Sequence, residues 1–168
     1  MNSKELFVRD TTLIKQSDNL FTAEVSENWS IGNTANGGYS MTLAAKAMSE
    51  FLEHKDPLSI SAHYLNRVDF GTTELHVTHL SSSKSLSTAR VELIQDNKIK
   101  IIFIGTFTDF SFKNDMNIYE RDVPNFPEYN SCEVIPYKEG FNPKLDKNIE
   151  KAYAQDSLWW KKDIDNSS

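Results

Sequence analysis

The hydrophobic period of this chain changes once, at Pro57, and that change restricts the folds open to it. Before Pro57, Met41, Ala44, Ala45, Met48, Phe51 and Leu52 recur at helical spacing, with Ser40, Thr42, Lys46, Ser49, Glu50 and Glu53 on the opposite side. Ala44, Ala45 and Ala47, on or beside the apolar face, let the helix axis come close to another surface, which suits a helix enclosed by a sheet. Asn36-Gly37-Gly38 supplies an N-terminal cap, and His54-Lys55-Asp56-Pro57 a basic end and a stop. After Pro57 the period is two. Ile60, Ala62, Tyr64, Val68 and Phe70 alternate with Ser59, Ser61, His63, Arg67 and Asp69, which predicts one long strand turned by Gly71-Thr72-Thr73. Leu75 and Val77 belong to a second strand, residues 81–84 to a loop, residues 86–95 to a third strand, and residues 98–110 to a fourth that Asp96-Asn97 folds back. In that last strand Ile99, Ile101 and Phe103 alternate with Ile102, Ile104 and Thr106, so its centre is apolar on both faces and predicts an interior strand. Upstream, residues 12–16 and 20–25 flank Ser17-Asp18-Asn19 and predict a short hairpin. One helix followed by four long, mostly hairpin-connected strands is an α+β order, with the antiparallel sheet curling around the helix.

Charge and composition exclude several classes of function. The 168 residues are the length of one ordinary domain. Eighteen Lys and Arg stand against 24 Asp and Glu, and a net charge of -6 with no gathering of basic residues argues against a nucleic-acid partner. No apolar run reaches the length of a membrane span and the N-terminus does not read as a signal peptide, so no membrane insertion is expected and the cytoplasm is the default. Cys132 is the single cysteine, and no Cys and His spacing resembles a zinc site. Four of the five prolines, Pro124, Pro127, Pro136 and Pro143, follow residue 123, so residues 1–112 read as the folded body, 113–143 as a proline-containing linker and 144–168 as a C-terminal tail.

Asn33 to Tyr39, the helix after it, Ser59 to Leu65, Val68, Gly71, Ser85 to Glu92 and Gln95 together resemble the N-terminal half of the acyl-CoA thioesterase II type, within the thioesterase-like superfamily. The order and spacing of these pieces match over about residues 19–110. The resemblance implies a hotdog fold, an antiparallel sheet wrapped around a central helix, and hydrolysis of a fatty acyl-CoA or related thioester without a cofactor. Members of this type carry two hotdog units, the second contributing a catalytic aspartate, threonine and glutamine; this chain is too short to hold that second unit. Residues 141–153 and Trp159-Trp160 resemble its opening. The resemblance therefore also admits a non-catalytic acyl-CoA-binding or scaffold half. A single unit leaves a sheet edge and an apolar helix flank, so a homodimer or a second hotdog unit is expected as partner.

Thioester hydrolysis needs a donor for the developing oxyanion, a group that orients or deprotonates water, and space for the acyl chain. Gly37 and Gly38 leave the backbone open to a carbonyl, and the N–H groups of a helix start point where negative charge forms. The same glycines also serve a tight turn, and Asn36 a cap, with no further role needed. Asn36 or His63 could position the water; His63 equally suits the solvated face that it shares with Ser61 and Arg67. Tyr39 and Tyr64, with Phe51, Phe70, Phe103 and Phe107, could line an acyl channel, although core packing also accounts for such residues. Lys84 stands where the family has an arginine and offers a phosphate only a point charge. Arg90 is either a CoA phosphate contact or half of a solvated pair with Glu92. No paired His and carboxylate suggest a metal, and His76 and His79 read as surface residues.

Overall fold

A computed structural model describes residues 2–111, 122 and 124–158, in two units, Met1–Lys113 and Asn114–Ser168. The first unit runs α1 (Ser3–Asp10), β1 (Ile14–Lys15), β2 (Leu20–Val25), a 3₁₀ turn (Glu27–Trp29), the small hairpin β3 (Ser30–Ile31) and β4 (Thr34–Ala35), α2 (Gly37–Phe51), then β5 (Asp56–Tyr64), β6 (Gly71–Ser82), β7 (Ser87–Gln95) and β8 (Lys98–Thr108). Six strands form one sheet in the order β1-β2-β6-β7-β8-β5, every neighbour antiparallel. α2 packs against β5, β6, β7 and β8. This is the α+β arrangement that the change of period predicts, with β8 in the interior and β5 at the edge.

The buried face of α2 differs from the expected one. Tyr39, Ser40, Leu43, Ala44, Ala47 and Met48 are buried, while Met41, Ala45 and Phe51 are only half-buried, so the core-facing stripe is rotated and Ser40 lies inside it. Leu43, Ala44, Ala47 and Met48 have no exposure because the sheet reaches round the helix. The closeness of that packing shows at Gly105 on β8, where a Cβ would lie 2.5 Å from Met48 Sδ.

The strand expected over residues 59–70 stops at Tyr64. The N–H groups of Leu65 and Asn66 both donate to the Lys100 carbonyl, each at 2.9 Å, beside a register shift between β7 and β8. Thr34 Oγ1 and the Ala35 N–H donate to the Val68 carbonyl at 2.9 and 3.1 Å, pinning residues 65–70 beside the strand that leads into α2. Gly71, at φ +108°, begins β6 instead of ending the earlier strand. β8 also departs from expectation: Ile101, Phe103 and Phe107 face the helix with at most 1% exposure, but Ile104 on the other face is 39% exposed.

Polar arrangements anchor the ends of both helices. α1 starts with a reciprocal cap, Asn2 Oδ1 accepting from the Glu5 N–H and Glu5 Oε2 from the Asn2 N–H. At its other end Asp10 accepts from Arg9, from Asn28 Nδ2 at 2.9 Å and from Trp29 Nε1 at 3.1 Å. Burial pushes the Asp10 carboxyl up, but hydrogen bonds from Asn28, Arg9, Ser26 and Trp29 outweigh it and hold the group below the usual carboxylate range. At the end of α2, Lys55 Nζ donates to the carbonyls of Ser49 and Leu52 at 2.7 and 2.6 Å, as a basic C-terminal residue should. His54 is instead buried, with Nδ1 2.6 Å from Ser87 Oγ and Nε2 3.2 Å from the Lys84 carbonyl.

In the second unit, β9 (Glu133–Ile135) pairs antiparallel with β10 (Lys151–Tyr153), joining the stretches that the sequence divides at residue 143. Lys151 Nζ lies 2.6 Å from Asp146 Oδ1, and Tyr129 donates to Glu150. Trp159-Trp160, likened above to the opening of a second unit, lie outside the described residues. Among the described residues no helix is long and apolar enough to cross a membrane, and no cluster of His, Cys, Asp and Glu has the make-up of a metal site.

Candidate functional site at the start of the central helix

The hairpin of β3 and β4 delivers the chain to Asn36, which caps α2. Its Oδ1 accepts from the Gly38 N–H at 2.8 Å and the Tyr39 N–H at 3.2 Å, while its carbonyl takes the Ser40 N–H at 3.0 Å. The cap thus engages two of the helix's first N–H groups. Among the described residues the Gly37 N–H has no protein acceptor, whereas the Gly38 N–H is taken by the cap.

Gly37 opens onto a cavity of about 360 Å³ whose wall includes Thr34, Tyr64, Asn66, Arg67 and Ile101. Tyr64 pairs with Ile101, which is buried against the helix, so the tyrosine stands on the α2 side of the sheet. A Cβ on Gly37 would come within 2.7 Å of the Tyr64 hydroxyl oxygen and 2.9 Å of Cε1. Only glycine admits that ring so close to the backbone. The positive end of the helix dipole, an N–H without an acceptor and a phenol therefore share one small space.

On the other side of the same helix turn, Gly38, Met41, Ala45, Ile60 and Phe107 line an apolar groove of about 380 Å³ along the α2 flank and β5. Of the aromatic residues considered for a channel, Phe107 lines this groove and Tyr64 the cavity. Phe103 belongs to the closed core, and Phe70 is 37% exposed.

The remaining candidates lie elsewhere. Tyr39 is 3% exposed; its hydroxyl donates to the Asp10 carbonyl at 2.6 Å and accepts from the Ser26 N–H at 3.2 Å, and its ring stacks on Trp29. Burial pushes its phenol up from the ordinary value. It anchors the helix start and does not line the cavity. His63 pairs with Ile102, which puts it on the opposite face of β5 from Tyr64, exposed. Lys84 sits in the turn that His54 holds beyond the end of α2, a helix about 22 Å long for its 15 residues. Arg90 pairs across to Ile104 on the outer face of the sheet and meets Glu92 at 3.1 Å, with Nε buried and without a hydrogen-bond partner. The structure brings Asn36, Gly37, Gly38 and Tyr64 together and leaves His63, Lys84 and Arg90 apart. Asn66 and Arg67 join the site unforeseen, because residues 65–70 read as strand in the sequence.

The site and the sheet around it can be set beside known proteins. A thioesterase II candidate from Thermobifida fusca YX has a similar solved structure, with a TM-score of 0.81 at 19% identity over 90% of this chain and 55% of that one. A hot dog fold protein of unknown function from Alicyclobacillus acidocaldarius gives 0.74 at 13% identity over 83% and 52%. A tesB protein from Mycobacterium avium subs paratuberculosis gives 0.67 at 17% over 86% and 66%. The chain spans about half the length of the first two. These likenesses establish the hotdog fold. No curated protein matches the chain. Residues 25–109, which are 85 of the 168 and hold the whole helix start with β5 to β8, match the family described as the acyl-CoA thioesterase N-terminal domain, and to that family the chain belongs.

Proposed function

We propose that this chain binds an acyl-CoA thioester at the start of α2 and hydrolyses it to the free acid and CoA. The observation that carries the reading is Gly37, which lines a cavity at the positive end of the helix and whose N–H has no acceptor among the described residues, while the Asn36 cap takes the next two. A thioester carbonyl set against it is polarised as negative charge develops; water attacks the carbonyl carbon, the C–S bond breaks, and the proton that the water gives up passes through solvent to the departing thiolate, leaving the free acid and CoA. Asn36 retains its side-chain N–H₂ to orient that water, since Oδ1 is engaged by the backbone. The apolar groove beyond Gly38 gives the acyl chain a place along the helix.

A second reading draws on one specific observation: among the described residues no carboxylate and no imidazole lines the cavity. On that reading the chain binds and polarises the thioester while the group that activates water comes from a second, different hotdog unit, in keeping with the exposed edge strand β5. Release of free thiol from short, medium and long acyl-CoA substrates by the purified chain, with Gly37→Ala alongside, separates the two. A Cβ at residue 37 reaches into the space that the carbonyl needs, so hydrolysis predicts a loss of about 10²–10³ in kcat/KM with folding intact. Binding of an acyl-CoA thioether without any thiol release would select the second reading.

A further inference from the structure

We propose that Arg67 is the anion-recognising residue of this cavity and takes an oxyanion carried by the thioester ligand, either a CoA phosphate or a carboxylate on the acyl group. The inference rests on the acyl-CoA reading above and adds to it the charge that the ligand must bring.

Among the described residues that line the cavity, Arg67 is the one charged side chain. In a chain with a net charge of -6 this is a local reversal of sign. The balance holds when the arginine's own partner is counted. Arg67 Nε and Nη2 both contact Asp69 Oδ1, at 2.9 and 2.8 Å, while Lys100 Nζ contacts Asp69 Oδ2 at 3.2 Å. Two cations share one carboxylate, so the cluster carries one positive charge in excess, beside the positive end of α2. Lys100 is 8% exposed and holds Asp69 whether or not Arg67 is present. The hydrogen bond from Lys100, then the charge of Arg67, keep the Asp69 carboxyl below the usual range, so it stays ionised.

The guanidinium is both free and oriented. Of its five N–H donors the two contacts to Asp69 occupy two, which leaves three for a ligand, and the side chain is 64% exposed. Asp69 is itself fixed, its N–H donating to Gln95 Oε1 at 3.0 Å and its carbonyl accepting from Gln95 Nε2 at 2.9 Å. An arginine steadied from one edge by a fixed carboxylate presents its other edge to a phosphate or carboxylate with less ordering left to do. The two sequence candidates for such a contact, Lys84 and Arg90, do not line the cavity.

The test is binding to the full chain by titration calorimetry, with ligands that cannot be hydrolysed. 4′-Phosphopantetheine against pantetheine and CoA against 3′-dephospho-CoA isolate the phosphates, and 3-carboxypropyl-CoA against butyl-CoA isolates an acyl carboxylate. The expected result is a preference of about tenfold or more for the anion in one of these pairs, lost in Arg67→Ala and partly kept in Arg67→Lys, which retains the charge without the fork. The pair that shows it names the source. Equal preferences in wild type and Arg67→Ala, or no preference in any of the pairs for wild type, overturn the proposal. If Arg67→Ala melts early, Arg67→Gln and Arg67→Lys carry the comparison, since Lys100 still neutralises Asp69. Failure of thiol release with the Arg67-dependent preference intact ends the hydrolase reading and leaves this one standing; the converse result does the reverse.

Discussion

Gly105→Ala tests the closeness of helix and sheet on which the site depends. Gly105 is buried on β8, and a Cβ there would lie 2.5 Å from Met48 Sδ, 3.1 Å from Phe107 Cε2 and 3.3 Å from Ile60 Cγ1. Met48 and Phe107 have no exposure, so neither can swing into solvent. The thioether bends more readily than a branched side chain, which lowers the strain without removing it. Overpacking of this kind costs about 1–3 kcal/mol, and replacing glycine within a strand returns about 0.5–1 kcal/mol. The net spans a loss of about 0–2.5 kcal/mol, and a loss near the middle of that span lowers Tm by roughly 3–6 °C for a unit of this size. Met48→Leu shortens the residue that is struck and costs under about 1.5 kcal/mol alone. The double variant should then be more stable than the sum of the single changes by about 0.5 kcal/mol or more. Thermal and urea melts of the four proteins measure this. Additivity in the cycle would refute close packing of α2 on β8.

Two further outcomes concern the anchors of the helix start. Asn36→Ala removes the acceptor for the Gly38 and Tyr39 N–H groups, so urea melts should show a loss of about 1 kcal/mol; an unchanged midpoint would mean that the cap is not a stabilising one. Asp10 supplies the pH dependence. Because its folded pKa lies below the unfolded value, its stabilisation is present above about pH 4 and fades as pH falls from there through the lowered folded value. Urea midpoints measured from pH 6 to 3 should therefore fall more gently in Asp10→Asn than in wild type, and an identical slope would contradict the assignment.

The fold was legible where the chemistry is local. The switch of period at Pro57 marks α2 and the strands after it, and Asn36 caps the helix as its type and place suggest. α1 carried an equally local signal, Asn2 with Glu5 three residues on, which went unread because the segment has little apolar patterning. The buried stripe of α2 was not local information: which side of a helix is enclosed depends on where a curved sheet ends around it. The bend after Tyr64 was hidden for the same reason. Val68 and Phe70 keep the alternation of a strand, while the backbone is drawn aside by the Lys100 carbonyl, 34 residues beyond Asn66, and by Thr34 and Ala35 upstream.

That bend also decides what the site can be. Had β5 continued through Asp69, Arg67 would have shared the face of His63, away from the helix, since both are odd-numbered residues of one strand. Because the strand ends at Tyr64, the tyrosine keeps its place over Gly37 while the arginine is carried round into the wall of the cavity. The clamp of Lys100, Asp69 and Gln95 is thus more than a brace for a loop. It places a residue that the alternation assigns to solvent in the wall of the cavity that Gly37 also lines. On the proposed reading, positive potential gathers at Gly37 with no carboxylate or imidazole among the described lining residues to act as a base, so the site draws in an anionic thioester and polarises it. Whether the chain also turns that thioester over then separates a complete enzyme from one half of a shared site, and thiol release by the purified chain decides it.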